Sequence, residues 1–498
     1  MRSAAIAAPD VAALVGARGV TSYEELDSRV SAAALRLGGL EPGSRVALYL
    51  PKGERYVALV LALIRAGHVA CAVSDRLPSQ GVTQLLERAA CSTLISDDGD
   101  LLQTVGVDLR RLNPEELLGG SQHAESADIP LERPATIVFT SGSTGVQKAA
   151  LHTFGNHYHN ALGSNVNITL RPGDRWLHSL PLYHVGGLSI LFRCLLARAT
   201  VALPQHGIPL GEAIARLGAT HVSLVSTQLL RLLREDADLA GLKAVLMGGG
   251  PVPASLVDEA VARGLPIHTS YGLTEMASQA TTTPPGAQLG ELHTSGRVLP
   301  GREVSISEEG EILVRGKTLF AGYVDSEKID CPLDEDGWFH TGDLGELDAE
   351  DYLRVLGRKD NLFISGGENI QPEEIEEAIY RLDGIDEAVV VPVHDPEFSA
   401  RPVAFVRTER DLEYLAPELE KTLPRYKIPI VFHPWPEQAR PGMKADRPSL
   451  RERARQLQDQ EEPTSHKKAI TPQKHDNPTT RRLKARAEGP KRADKRRR

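Results

Sequence analysis

The sequence predicts an α/β fold, built as a large multi-sheet N-terminal domain followed by a smaller α+β domain. Three observations carry this. Short apolar runs alternate with helix-patterned segments along most of the chain, which implies parallel sheets covered by helices. Several of those runs end in Gly, Ser or Thr, at the carboxyl edge where open α/β sheets place ligands. Beyond Asp343 the texture changes to short strands around one helix, and 498 residues exceed what one core accommodates.

Taken in order, Arg45-Val-Ala-Leu-Tyr-Leu50 is strand-like, Tyr56 to Ala66 is helical, and the chain turns apolar again from Val69. Further strands are expected at Ala135-Thr-Ile-Val-Phe-Thr140, His221-Val-Ser-Leu-Val225 and Ala244-Val-Leu-Met247. In the second region Tyr352 to Leu356 reads as a strand, Pro372 to Leu382 as a helix, and Ala388 to Val393 and Val403 to Val406 as strands. The boundary falls at Arg358 to Asn361. The expected division is 1–358, then 359–455 as a small domain, then a tail at 456–498.

The tail is a different material from the body. From Thr464 to Arg498 there are 13 Lys or Arg against 3 Asp or Glu, whereas residues 1–463 carry a net charge of −19. With almost no large apolar residues the tail cannot offset its ordering entropy, so it is expected to be disordered. Such a tail could contact nucleic acid, but no nucleic acid is required by the rest of the chain.

The hydrophobic fraction of 41% and charged fraction of 25% are those of a globular protein. The N-terminus has no sustained apolar region of a secretory signal, and no stretch approaches the roughly 18 apolar residues of a membrane span. A cytoplasmic location is therefore expected. Cys71, Cys91, Cys194 and Cys331 lie far apart without C-x-x-C spacing, which argues against a zinc site or a disulfide scaffold.

The most informative segment is Thr140-Ser-Gly-Ser-Thr-Gly-Val-Gln-Lys148, directly after an apolar strand. Gly142 and Gly145 allow close backbone approach to an anion, while Thr140, Ser141, Ser143, Thr144 and Lys148 offer donors to phosphate oxygens. It is not a Walker A loop, since Gly145 is followed by Val and Lys148 by Ala. Four more segments follow it: Ser270-Tyr-Gly-Leu-Thr-Glu275, Gly337-Trp-Phe-His-Thr-Gly-Asp343, Gly357-Arg-Lys-Asp360 and Ser365-Gly-Gly-Glu-Asn-Ile370. In that order and at those intervals they resemble the motifs of the adenylate-forming superfamily of acyl-CoA synthetases, peptide-synthetase adenylation domains and luciferases. The resemblance covers about residues 10–455.

That resemblance implies an ATP-dependent, AMP-forming acid-thiol ligase using ATP, Mg²⁺ and CoA, with a small domain that swings between two half-reactions. It gives Thr140 to Lys148 the ATP phosphates and Glu275 the Mg²⁺. Tyr271 would lie against adenine, with Gly248, Gly249 and Gly250 close to it and Gly272 and Thr274 beside the nucleotide. Asp343 would accept the ribose hydroxyls, with Arg358 nearby. Lys444, in Pro441-Gly-Met-Lys-Ala-Asp-Arg447, matches the lysine that joins the acid carboxylate to the α-phosphate. Asp360 matches the hinge, and Ser365, Gly366 and Gly367 the loop that meets CoA. Two departures stand out: Met443 and Ala445 flank Lys444, and Gln147 replaces the usual Pro.

For the acid, Leu180-Pro-Leu-Tyr-His-Val-Gly-Gly187 supplies His184, which matches a position lining the acid site. In the segment after it, Leu188, Leu191, Phe192, Leu195 and Leu196 share one helical face, with Ser189, Ile190 and Arg193 displaced from it. A guanidinium there suits a second carboxylate on the substrate. Thr220 to Leu229, Met247 to Pro253, Asp360 to Glu374 and Val393 to Phe398 resemble, more closely, the o-succinylbenzoate-CoA ligase group of menaquinone biosynthesis. Within that group Arg193 and Ser223 match acid-pocket positions. The alternative is an aryl- or other acyl-CoA synthetase of the same superfamily, and a homodimer stays open as the assembly.

Overall fold

The computed structural model describes residues 2–120, 128–140, 147–436 and 447–461. Ser141, Gly142, Ser143, Thr144, Gly145, Lys444 and the segment 462–498 lie outside them.

Two large sheets dominate the N-terminal part. One has nine strands, running from Arg297–Val298 through Ser278–Thr282, Ile267–Leu273, Ala244–Met247, His221–Leu224, Arg175–Leu177, Thr200–Ala202 and Ala12–Gly16 to Gly19–Ser22. The other has eight, from Lys328–Asp330 through Gly322–Asp325, Lys148–Thr153, Pro134–Thr140, Val69–Ala72, Arg45–Leu48 and Thr93–Ile95 to Arg110–Leu112. Their interiors pair in parallel, as the alternation predicts. Toward one edge of each the pairing reverses: Pro134–Thr140 with Lys148–Thr153, and Ile267–Leu273 with Ser278–Thr282, are antiparallel. These two reversals lie where the chemistry-bearing motifs fall, because a short hairpin returns the chain to the same sheet edge.

The largest apolar cluster fills the space between the sheets. Leu14 and Val201 enter from one, Val46, Leu48 and Val138 from the other, and the helices Tyr23–Leu37 and Glu54–Ala66 lie between. Glu54–Ala66 is buried at every position from Tyr56 to Ile64 and stops at Gly67, which takes φ +85°. A helix apolar all round belongs in such a layer.

A third sheet, wholly antiparallel, comprises Arg302–Ile306, Glu311–Gly316, Phe339–Leu347 and Leu353–Arg358. It begins about forty residues before the change of texture noticed at Asp343, since alternating strands with one wet face leave a weaker apolar signal than buried parallel ones. The turn Lys359–Asn361 leads into a hairpin, Phe363–Ser365 with Glu368–Ile370, and a three-stranded sheet. The helices Pro372–Tyr380 and Arg447–Glu461 pack on that sheet. The last helix corrects the expected tail at 456–498. It runs through residues 456–461, because Leu457 packs beside Val391 and Phe405 and the Gln458 amide donates to the His394 carbonyl at 2.8 Å. Arg234 pairs with Asp386 and Ser255 Oγ donates to the Tyr380 carbonyl at 3.1 Å, so the two parts touch beyond the linking turn.

Candidate active site

The Ser270 to Glu275 segment carries a candidate site residue near either end, Tyr271 and Glu275. At one end, Tyr271 lies on the strand Ile267–Leu273 with its ring in the apolar cluster of Ala150, Ile312 and Phe339. Its hydroxyl donates to Asp343 Oδ2 at 2.7 Å. Burial, then the Asp343 carboxylate, raises the phenol well above its ordinary range, so it remains a donor. Asp343 Oδ1 accepts from Arg358 Nη1 at 2.9 Å, across a register that sets the two residues opposite one another. Gly342 takes φ +71°, and a Cβ there would stand 3.0 Å from Arg358 Nη2. This end presents a carboxylate already oriented by a cation and a phenol.

At the other end, the turn Thr274–Met276 carries Glu275, whose Oε1 accepts from Tyr323 at 2.6 Å. The turn is fixed by its backbone: His152 Nε2 meets the Thr274 carbonyl at 2.7 Å, and the Phe320 amide donates to the Glu275 carbonyl at 2.8 Å. Lys148 Nζ lies 4.6 Å from the centre of the Tyr323 ring. One tyrosine therefore touches both the carboxylate and the lysine. Burial and Glu275 raise the Tyr323 phenol, which keeps its proton on the oxygen that faces the carboxylate. Thr140 sits opposite Lys148 in the sheet register.

Gly248 follows the strand Ala244–Met247, where a Cβ would stand 2.8 Å from Ser270 Oγ. Gly249 takes φ +82°, and a Cβ on Gly250 would meet open space. Gly272 is required by the hairpin itself, since a Cβ there would stand 2.2 Å from the Ser278 carbonyl oxygen.

Arg193 anchors a second region on the helix Val185–Ala197. The two-faced reading of that helix is corrected: it is buried from Gly187 to Cys194, Ser189, Ile190 and Arg193 included, while Leu196 is 36% exposed. It is sandwiched between the sheets and Phe154–Asn167, so no side of it is solvated along that stretch. Arg193 is 1% exposed. Its Nη2 donates to Ser278 Oγ at 3.2 Å, its guanidinium lies 5.2 Å from the Trp176 ring centre, and its Nε meets no acceptor among the described residues. No carboxylate pairs with it there. Burial pulls its pKa down to about 9. Ser223 is brought into the same group, accepting from Trp176 Nε1 at 3.2 Å. His184 caps the start of the helix, exposed, with its ring 4.7 Å from that of Tyr183.

The hinge-side residues are not gathered with these. Asp360 lies in the turn Lys359–Asn361, 4.0 Å from Arg358. Ser365 is buried, and Gly366 and Gly367 form the two-residue loop of a hairpin with φ +59° and +89°. Two left-handed positions in a two-residue loop call for glycine. The Gly366 amide donates to the Phe398 carbonyl at 2.9 Å, within the small domain.

Sequence reasoning missed Trp176, Ser278 and Tyr323. Trp176 had a signal, as one of three tryptophans in the chain and in an apolar run just before the His184 segment. Tyr323 had none, because its partner Glu275 is 48 residues away.

The profile of AMP-binding enzymes matches residues 1–324, and that of the AMP-binding enzyme C-terminal domain matches residues 374–438. A 2-succinylbenzoate–CoA ligase of Bacillus cereus is 33% identical over 444 residues, spanning 84% of this chain and 91% of that protein. An arginine-to-lysine variant of E. coli MenE with bound OSB-AMS superposes with a TM-score of 0.82 at 32% identity, covering 91% of this chain and 98% of that one. The o-succinylbenzoate CoA synthetase of Bacillus subtilis, solved with the acyl-adenylate intermediate OSB-AMP, gives 0.81 at 30% identity over 90% of this chain and 97% of that one. The same enzyme has been solved with ATP and magnesium ion, with a TM-score of 0.80 at 30% identity over 90% and 98% of the two chains.

Proposed function

The chain belongs to the AMP-binding enzyme family, and from that premise we propose that it joins o-succinylbenzoate to CoA through an acyl-adenylate. The observation that carries the choice of acid is Arg193, a buried guanidinium with no carboxylate partner among the described residues. Burying an unpaired charge is costly, and a ring carboxylate placed against Arg193 answers it with charge-assisted hydrogen bonds. A simple aryl acid has no second carboxylate and would leave that charge unanswered. The similarity to 2-succinylbenzoate–CoA ligases along most of both chains supports the same reading.

In the first step an oxygen of the succinyl carboxylate attacks the α-phosphorus of ATP and pyrophosphate leaves. In the second, the sulfur of CoA attacks the acyl carbon, AMP leaves, and the thiol proton is released. No side chain becomes covalently attached, so the chain acts by positioning and by stabilising charge. Asp343, held by Tyr271 and Arg358, accepts from the ribose hydroxyls. Lys148 and the loop from Thr140 take the phosphates, Lys444 bridges acid and α-phosphate, and His184 stands at the acid's entry. Glu275 is the carboxylate that would hold Mg²⁺, an ion usually bound by one or two carboxylates with phosphate and water oxygens; when bound, it neutralises charge on the leaving pyrophosphate. Among the described residues no group of three or more His, Cys, Asp or Glu is arranged to hold a metal ion. The hairpin of Ser365, Gly366 and Gly367, turning about Asp360, meets CoA in the second step.

This reading carries with it a place in menaquinone biosynthesis, a cytoplasmic location and a homodimer as the assembly to be tested by light scattering. No described helix is long and apolar enough to cross a membrane. The direct test incubates the protein with ATP, Mg²⁺, CoA and either o-succinylbenzoate or benzoate, and follows AMP and thioester by mass spectrometry. A thioester with o-succinylbenzoate is expected; one with benzoate alone would discard the assignment of the acid.

A further inference from the structure

Arg193 is not the only buried cation without a counter-charge among the described residues. Arg302, at the start of the strand Arg302–Ile306, is 6% exposed and faces carbonyl oxygens only: Nε donates to Gln279 at 2.7 Å, Nη1 to Pro300 at 2.8 Å and Nη2 to Asn160 at 3.2 Å. Its neighbourhood is that of Arg193. Gln279 directly follows Ser278, which accepts from Arg193, and Asn160 lies on the same helix as Asn165, whose amide donates to the Arg193 carbonyl. Room for the guanidinium is made by Gly163, where a Cβ would stand 2.1 Å from Nη1. Burial, and then repulsion by Arg193, pull the Arg302 pKa down to about 9.

Carbonyl dipoles alone need no arginine. Two guanidiniums that repel one another in the interior, with no acidic partner for either among the described residues, make a region that an arriving anion would stabilise. We propose that Arg302 is a positioning residue of the acid site, whose buried charge acts with Arg193 to select a doubly anionic acid. It touches no substrate. It holds the turn that carries Ser278 and adds to the positive potential that the ring carboxylate meets. The inference rests on the assignment of Arg193 to that carboxylate.

The test compares kcat/KM for o-succinylbenzoate with kcat/KM for 4-oxo-4-phenylbutanoate, the same acid without its ring carboxylate. A unit charge acting over a distance on the order of 10 Å through an effective dielectric of about 20 changes anion affinity about tenfold. Arg302→Met should therefore lower the ratio of the two constants about tenfold, and Arg302→Lys, which keeps the charge but not the three-pronged clamp, should restore most of it. A purely structural role would slow both acids equally and leave the ratio unchanged in both variants, which overturns the proposal. Equal loss of the ratio in Arg302→Lys and Arg302→Met overturns it as well. Should Arg302→Met fail to fold, Arg302→Gln is read in the same way. Arg193→Leu separates the two levels: an unaltered ratio there removes the underlying assignment, whereas a collapse there with no change in the Arg302 variants removes this inference alone.

Discussion

The Arg193 guanidinium lies over the indole of Trp176, 5.2 Å from its ring centre, and that indole is itself tied to Ser223 by a 3.2 Å hydrogen bond. A cation–π contact of this kind partly offsets desolvation but does not neutralise charge. The buried cation is thus held in place by groups that leave it able to receive an anion.

The same arrangement sets a stability cost. Burial lowers the Arg193 pKa, so the unfolded chain holds that proton more tightly and the charge opposes folding at every pH below about 9. Arg193→Met, similar in length and apolar, is expected to stabilise the fold by about 1 kcal/mol or more while raising the KM for o-succinylbenzoate. Thermal melts of both proteins without ligand check this; a lower Tm in the variant contradicts it.

Tyr323 is the link between Glu275 and Lys148. Tyr323→Phe keeps the ring under Lys148 and removes only the 2.6 Å hydrogen bond to Glu275. Groups that orient a metal ligand are worth about 10–100-fold in affinity or activity. The Mg²⁺ concentration for half-maximal pyrophosphate exchange should rise by about tenfold, with the acid KM unchanged. An unaltered Mg²⁺ dependence would leave Tyr323 with packing alone.

Gly366 takes φ +59°, and a Cβ there would stand 2.8 Å from the Phe398 ring. Gly366→Ala is strained on both counts. Pyrophosphate exchange, which needs only the first step, should stay within about twofold, while transfer of supplied acyl-adenylate to CoA should fall about tenfold. Equal loss in both half-reactions would separate this hairpin from the thiol step.

Four histidines make the fold sensitive to acid. Burial holds His152 at about 4, His178 at about 3 and His221 at about 4, and His157 is lowered by burial and by His152. The Nδ1 atoms of His152, His157 and His178 have no partner among the described residues, so a proton added there is a buried, unanswered charge. Each group has a folded pKa below its unfolded value of about 6.5. The unfolded state therefore binds more protons between those values, and stability is complete above about pH 6.5 and lost as pH falls toward 4, by about 1.4 kcal/mol per pH unit per histidine. Tm should decline steadily from pH 6.5 to 5; a flat profile would mean that these rings find partners when protonated.

What the sequence made legible was the polar punctuation of the fold. Lys148 and Glu275 sit at strand ends and Asp343 in the middle of a strand, each in a short, ordered motif, and local chemistry is enough to single them out. Arg193 was legible as a charge among leucines, but not as a fully buried one, because helical periodicity cannot say that both flanks of Val185–Ala197 are covered. Trp176, Ser278 and Tyr323 act through partners many residues away, and such pairings follow from sheet order rather than from spacing. Arg302 carried a faint signal, since strand alternation sets it on the side of Val304 and Ile306, where a charge is out of place. The antiparallel sheet and the last helix were underestimated for one reason: half-exposed elements carry fewer apolar residues than buried ones.

The central claim is that Arg193 receives the ring carboxylate while the succinyl carboxylate is activated. Its most direct measure is the ratio of kcat/KM for o-succinylbenzoate to that for 4-oxo-4-phenylbutanoate, in the natural protein and in Arg193→Leu. Loss of a buried bidentate partner should lower that ratio by about 100-fold, with the KM for ATP unchanged; a ratio that is the same in both proteins would contradict the assignment.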